Sequence, residues 1–374
     1  MIEPTSLVTT RLDHLRANLD AIRTRVDGRK LLVAVKANAY GHGAVGVARM
    51  IQEHRAAEWL GVATISEGIE LREAGIELPI LKLSMTRNPG ETDAAVAANI
   101  TLTVTDAASI AMVAAAAMLN HVVAEVHLKV DTGMRRIGCP PEQAVELAKL
   151  VDATDGVDLG GVFSHLPISD SPAGTEFTAA QIKLFAETVA AIEAARGPVP
   201  LKHLANSGGI LGHPDSWFDL VRPGIIAYGA YPDPEAERTV EIRPALEWRS
   251  YLSFVKRVAA GETVSYGRTW TAPQDTWVGT VPVGYADGYS RLLSNRGRML
   301  VAGRSCPVIG RVCMDQTMLD LGPQASETVG EEVVLVGPDG DDEITTTEIA
   351  GLMGTIPYEV TCLLAPRSAR EYLG

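Results

Sequence analysis

The sequence predicts an α/β protein: a TIM-like (β/α)8 barrel followed by a second, mostly β C-terminal domain. Three observations carry this. Eight apolar, β-branched runs alternate with helix-like segments between residues 31 and 228. Beyond Arg243-Pro244 the helical periods vanish, and short alternating runs separated by turns replace them. The composition, 46% hydrophobic and 21% charged over 374 residues, is that of a globular chain long enough for two domains. A doubly wound open sheet is the alternative that the same alternation allows.

Leu12, Leu15, Leu19 and Ile22 recur at helical spacing and mark a first helix. Residues 31–36 form a continuous apolar run ending on Lys36, as expected of a strand buried on both faces. The other barrel strands are expected at 59–64, 79–84, 100–105, 122–131, 157–165, 199–206 and 220–228. Helices are expected at 44–54, 67–74, 106–119, 141–151 and 178–195. The pattern changes near Tyr231-Pro-Asp-Pro234, so the barrel is assigned to residues 1–238 and the second domain to 239–374. Strands at 246–255, 276–281, 298–301, 306–312, 316–320 and 332–336 and a short helix at 344–353 are expected there.

A formal net charge of −13 argues against nonspecific nucleic-acid binding. The four cysteines, Cys139, Cys306, Cys313 and Cys362, are scattered without a C-x-x-C and read as reduced thiols of a cytoplasmic protein. No stretch reads as a signal peptide or as a membrane span. The eight histidines form no H-x-x-x-H or H-E-x-x-H, so no metal site is expected. Gly41 to Gly46 spell G-x-G-x-x-G, the dinucleotide fingerprint. The first glycine does not directly follow the strand, and the run from Trp59 ends in Thr64 rather than an acidic residue. These glycines read as the turn from strand to helix.

In a barrel the C-terminal ends of the strands share one face, where barrel enzymes build their sites. Lys36 and Tyr40 follow the first strand; Lys129, Asp131, Thr132, Met134, Arg135 and Arg136 close the fifth. His165 ends the sixth, His203, Asn206 and Ser207 end the seventh, and Arg222 lies in the eighth before Pro223-Gly224. Each has an ordinary structural reading alone. A strand-end lysine snorkels to water, Asp-Thr-Gly and Asn-Ser-Gly-Gly are turns, and a histidine can sit satisfied in a core. Their convergence on one face argues for a site. The loops after strands seven and eight are the usual phosphate site of barrels, and they offer Ser207 and the amides around Gly224. A lysine able to bond a carbonyl carbon, beside a phosphate site and an arginine, is a constellation suited to pyridoxal 5'-phosphate (PLP).

The stretch Ala-Val-Lys-Ala-Asn-Ala-Tyr-Gly-His-Gly at 34–43 resembles the cofactor-lysine motif of alanine racemases. The stretches at 129–138, 203–207, 221–225, 228–229, 264–270, 284–289, 310–316 and 356–359 resemble further motifs of that family, in its order and through both domains. The resemblance implies a homodimer with shared active sites acting on a small amino acid, alanine. Lys36 would carry PLP and, once freed by substrate, act as one α-proton base; Tyr266, from the partner subunit, would be the other. Tyr40, Ser207, Gly224, Ile225 and Tyr358 would bind the phosphate, and Arg222 the pyridine nitrogen. Arg136 would hold the cofactor's phenolic oxygen and help place the substrate carboxylate. His165 would link Tyr266 to Arg222. Met314 would bind substrate through its amide, and Tyr285 would narrow the mouth. Lys129 is carbamylated in some relatives.

The segments 166–170, Leu-Pro-Ile-Ser-Asp, and 231–237 depart from the family pattern. They leave a racemase of serine or another small amino acid as the alternative. A non-catalytic PLP-binding barrel would lack the second domain and Tyr266, and a PLP decarboxylase would place an acidic residue where Arg222 stands. Peptidoglycan precursor supply, catabolism and a resistance role all fit a D-alanine producer.

Overall fold

The computed structural model describes residues 4–374. The chain opens with β1 (Leu7–Arg11) and a helix, Leu12–Arg25, and then lays down eight parallel strands. These are β2 (Lys30–Ala34), β3 (Trp59–Val62), β4 (Ile80–Lys82), β5 (Thr101–Val104), β6 (Ala124–Lys129), β7 (Val157–Phe163), β8 (Leu201–His203) and β9 (Leu220–Val221). Neighbours pair in chain order from β2 to β8, and β2 also pairs with β9, so the sheet curls into a nearly closed barrel. The seam between β8 and β9 is bridged by single bonds: the Asp219 N–H donates to the Lys202 carbonyl (3.0 Å) and the Arg222 N–H to that of Ala205 (2.9 Å).

The strands are apolar because both faces are covered. Outward side chains such as Leu31, Val33, Val126 and Leu128 join a core with Leu15, Leu19, Ile22 and Ile51 of the surrounding helices. Leu32, Trp59, Leu81, Leu201 and Leu220, from five different strands, form a separate cluster inside the barrel. Period-two alternation along β6 therefore turns Glu125, His127 and Lys129 inward. The helices expected from periodicity are present as Ala44–His54, Ile65–Glu73, Ala107–Asn120, Ala144–Asp152 and Thr175–Arg196. Periodicity missed Pro89–Ala97, whose alanine-rich body carries little apolar contrast. Its start is marked by Asn88, whose Oδ1 accepts from the Glu91 N–H (3.0 Å), and by proline in the first turn.

Four expectations need correction. The first barrel strand stops at Ala34, and Lys36 opens a separate turn, Lys36–Tyr40. The last one shrinks to β9, because Pro223 cannot donate to a ladder and Ile225–Tyr228 coils into a 3₁₀ turn. The run 246–255 is two strands, Leu246–Tyr251 and Phe254–Val258, in different sheets. Finally, β1 is not part of the barrel, although it lies within 1–238. It pairs antiparallel with Leu246–Tyr251 and parallel with Ala369–Leu373, in the main sheet of the second domain. Residues 1–3 of that span lie outside the described residues. The second domain has its own core, including Val8, Trp248, Leu300 and Val334. Among the described residues no helix is long and apolar enough to cross a membrane.

Candidate active site

A cavity of about 180 Å³ opens at the C-terminal ends of the barrel strands. Lys36, Tyr40, Lys129, Arg136, His165, Ser207, Arg222, Gly224 and Tyr358 line it, with Ala34, Leu83, Phe163 and Asn206 between them. Ten residues singled out in the sequence, Asn206 among them, are thus brought to one place, and most of them follow the ends of barrel strands.

The turn after β2 sets Lys36 and Tyr40. Four consecutive non-glycine residues, Ala37 to Tyr40, hold φ between 51° and 54°, a left-handed turn. Each costs about 1–2 kcal/mol relative to right-handed backbone. Such strain persists only where the surroundings over-determine it. Here the Ala37 N–H donates to Glu67 Oε1 (2.7 Å) and the Ala44 N–H to Asn38 Oδ1 (2.8 Å), while the Arg370 guanidinium donates to the Gly41 carbonyl. The Tyr40 ring lies between those of Tyr228 (5.2 Å) and Tyr358 (5.7 Å). Tyr228 in turn donates its hydroxyl to the Ala34 carbonyl at 2.8 Å.

The charges are unusually placed. Burial, with help from the nearby Arg136, lowers the Lys36 ammonium from its ordinary range. Lys129 is buried with its Nζ 5.1 Å from the Phe163 ring; burial, then Arg222 and Arg136, push it down to about 7. Arg222 is buried and anchored on four sides. Its Nη2 donates to the carbonyls of Ser164 (2.7 Å) and Leu204 (2.9 Å), its Nη1 lies 2.9 Å from His203 Nδ1, and Nη2 lies 3.4 Å from His165 Nδ1. Burial lowers it to about 9, which leaves it charged at neutral pH. Burial and the Arg222 charge hold His165 and His203 well below the ordinary imidazole value, so both rings are neutral.

The opposite wall is a cradle of donors. The Gly224 N–H donates to Ser207 Oγ at 3.1 Å, and Asn206 caps the short helix Ser207–Gly212 by accepting from the Gly209 N–H (3.1 Å). Burial raises the Tyr40 and Tyr358 phenols, so both remain protonated donors. Ile225 is buried just behind Gly224 and does not itself line the cavity. A glycine-cleared pocket of hydroxyls and amides suits a phosphate dianion, and a desolvated amine within the same cavity suits a reactive carbonyl. The residues fit PLP.

Three expected residues lie elsewhere. Tyr266, Met314 and Tyr285 project from the second domain and are 71%, 52% and 43% exposed, high values for side chains of this size. Tyr266 and Met314 share an open groove with Ser265, Cys313, Asp315 and Gln316. The Tyr285 N–H donates to the Cys313 carbonyl beside it (3.0 Å). Ser265, next to Tyr266, has φ 68° and ψ 178°, a conformation nearly confined to glycine, and is held by its hydroxyl donating to the Arg311 carbonyl (2.6 Å). Within one chain this groove and the barrel cavity share no residue. Phe163 and Tyr228 support the site without having been assigned a role from sequence. Phe163 lies beneath the Lys129 and Arg222 cations, and only its place at the end of β7 hinted at this.

Comparison with known proteins agrees with this geometry. The family pattern of the alanine racemase N-terminal domain matches residues 10–232, and that of the alanine racemase C-terminal domain matches residues 245–372. The alanine racemase of Cutibacterium acnes is 52% identical over 363 residues, 97% of this chain and 96% of that protein. The alanine racemase structure from D-cycloserine-producing Streptomyces lavendulae superposes with a TM-score of 0.93 at 38% identity, covering 100% of this chain and 98% of that one. That of Bartonella henselae, with covalently bound pyridoxal phosphate, superposes with a TM-score of 0.87 at 25% identity, covering 99% and 100%. With both domains matched and nearly the whole length aligned, the chain belongs to the alanine racemase family.

Proposed function

We propose that this racemase interconverts L- and D-alanine with PLP as cofactor and two bases, Lys36 and Tyr266 of the partner subunit. The observation that carries the reading is the barrel cavity, where a desolvated lysine amine, a buried arginine and a glycine-cleared donor cradle face one another. The family is PLP-dependent, and the Bartonella henselae structure carries the cofactor covalently. In this reading Lys36 holds PLP, Tyr40, Ser207, Gly224 and Tyr358 hold its phosphate, and Ile225, buried behind Gly224, contributes through its backbone amide only. Arg222 meets the ring nitrogen and Arg136 the phenolic oxygen.

When bound, the cofactor supplies a conjugated ring that draws electrons from the substrate's α-carbon and acidifies its hydrogen. The protein's residues do the rest. Lys36 must be a free base near neutral pH to take a proton, and burial beside Arg136 moves it in that direction. Arg222 donates and does not readily release a proton, so it keeps its partner nitrogen unprotonated and limits side reactions. His165 accepts from Arg222 at Nδ1, so its Nε2–H is free to donate to the phenol oxygen of the partner subunit's Tyr266 and to favour the phenolate. Met314 and Arg136 place the substrate carboxylate, and Tyr285 narrows the mouth. The exposure of Tyr266 and Met314 supports a homodimer that seats one chain's groove over the other's barrel.

The Lys129 amine, at about 7, has a large neutral fraction at mildly alkaline pH and is nucleophilic toward carbon dioxide. This supports carbamylation, with loss of one amine proton and formation of an anion near Arg136. The segment 166–170 is tied behind the site: Ser169 donates to Asn206 Oδ1 (2.7 Å), and Asn206 Nδ2 donates to the Leu166 carbonyl (2.9 Å). None of its residues lines the cavity, so nothing there favours serine over alanine. The division of the chain at 238/239, cytoplasmic residence and D-alanine supply to peptidoglycan belong to the same proposal; all four cysteines are free thiols.

The test is to purify the protein with PLP, assay racemisation across the small amino acids, then reduce with borohydride and map the pyridoxyl label. Alanine turnover with the label on Lys36 is expected. A label on another lysine, or faster turnover of serine, overturns the reading.

A further inference from the structure

Beneath the site the barrel interior holds a column of polar groups that the reaction as read above does not use. Nη1 of Arg222 lies 2.9 Å from His203 Nδ1, and His203 Nε2 lies 2.9 Å from His127 Nδ1. His127 Nε2 is buried without a well-aligned hydrogen bond, and Oε1 of Glu125 lies 3.5 Å from it. Both rings are fully buried, whereas the Glu125 side chain, near the start of β6, is 43% exposed. The column therefore runs from the active-site arginine through the barrel to a carboxylate that reaches water.

The order of its protons follows from chemistry. A guanidinium has donors and no acceptor, so Nδ1 of His203 must accept. A neutral ring that accepts at Nδ1 carries its proton on Nε2, and His203 therefore donates to His127 Nδ1. His127 in turn carries its proton on Nε2, toward the Glu125 carboxylate. Burial lowers both rings from the ordinary imidazole value; Arg222 acts in the same direction on each, while at His127 the Glu125 carboxylate works against it without reversing the shift. A second proton on His203 would set an N–H against the arginine's N–H. One choice, made by Arg222, fixes every proton in the column.

Two further observations fit a maintained arrangement. A Cβ on Gly161 would lie 2.8 Å from His127 Nδ1, and one on Gly160 would lie 2.4 Å from Glu125 Cδ. Paired glycines weaken the middle of a strand, and here they clear the space that these two side chains fill. The rings are also clamped: His203 stacks on Phe163 (4.7 Å between centroids, 3° between planes), and His127 lies 5.3 Å from Trp59. Arg222 bonds two carbonyls and two imidazoles and pairs directly with no carboxylate among the described residues, which is uncommon for a buried charge.

We propose that His203 and His127 form a one-directional hydrogen-bonded column, faced at its far end by the Glu125 carboxylate 3.5 Å away, that positions Arg222 and supplies its charge with a distant counter-charge. His127 and Glu125 are thus positioning residues for racemisation. The consequence for catalysis rests on the reading that Arg222 meets the cofactor's ring nitrogen; the proton order does not.

The test uses the holoenzyme labelled with ¹⁵N-histidine. Ring-nitrogen shifts separate the two neutral tautomers from imidazolium, and His127→Gln and His203→Gln assign the two signals. Both rings are expected as neutral Nε2–H tautomers at about pH 8. An Nδ1–H or imidazolium state in either ring overturns the column. Glu125→Gln keeps the shape of a half-exposed side chain and removes its charge. It should lower kcat roughly two- to thirtyfold at unchanged KM for alanine and shift the cofactor's absorption band. Wild-type kcat and an unmoved band would overturn the counter-charge. If both tautomers are as stated but Arg222→Lys leaves the cofactor band unmoved, the column is upheld and it is the placement of Arg222 at the ring that fails.

Discussion

A Cβ on Gly224 would lie 3.0 Å from the Tyr40 hydroxyl oxygen and 3.6 Å from Ser207 Oγ. Tyr40 has little room to yield, since its ring is held between Tyr228 and Tyr358. Gly224→Ala should therefore fold normally and bind PLP about tenfold more weakly, a cost of about 1.4 kcal/mol. Fluorescence titration of the cofactor-free protein checks this. An unchanged Kd would mean that the cradle is not where the phosphate sits.

The left-handed turn at Ala37 reverses the usual rule for glycine. In an ordinary helix Ala→Gly costs about 1 kcal/mol. Ala37 is exposed and has φ 53°, where a glycine has no Cβ penalty. Ala37→Gly should leave the melting temperature unchanged or raise it. It should also lower kcat, because the turn that aims Lys36 becomes looser. A melting temperature several degrees lower would show that the turn is not strained.

That turn also marks how far the sequence could be read. The barrel was legible because strands and helices carry different periods, and the convergence of polar residues at the strand ends directed attention to the right face. The handedness of the turn was not legible. Ala-Asn-Ala-Tyr contains no glycine, and its local preference is right-handed; contacts from Glu67 and Arg370, far along the chain, decide otherwise. The membership of β1 failed for a similar reason, since its partners Leu246–Tyr251 and Ala369–Leu373 are distant in sequence. The barrel half of the proposed site follows from strand ends, whereas a role for Tyr266 and Met314 rests on motif resemblance alone. Residues that lie apart within one chain leave no shared spacing in its sequence.

Acid should destabilise the fold through its buried histidines. His42 is buried, with Nδ1 3.0 Å from the carbonyls of both Ala39 and Tyr40, and burial lowers it from 6.5 to about 4. The unfolded chain therefore binds more protons between those values, and stability falls as pH falls through 6.5 toward 4. His42 alone should cost about 2 kcal/mol between pH 7 and pH 5, at 1.36 kcal/mol per unit. His127, His165 and His203 shift in the same direction. Urea denaturation at the two pH values should show a smaller loss in His42→Gln than in the wild type. Equal losses would take His42 out of the acid response.

The separation of Tyr266 from Lys36 within one chain makes a definite prediction about mixed dimers. In the proposed mechanism Lys36→Ala lacks one base and Tyr266→Phe the other, so each homodimer should be inactive. In a mixed dimer, one barrel keeps Lys36 and faces the intact Tyr266 of the other chain, while the second barrel has neither base. With free exchange half of the dimers are mixed, and roughly a quarter of wild-type activity should return. The control is wild type mixed with the Lys36→Ala/Tyr266→Phe double variant. Its mixed dimers split the bases so that each site has only one, and activity should fall below that expected from the wild-type chains alone. If both bases came from the same chain, the first mixture would stay inactive, and the second would keep one working site in every mixed dimer.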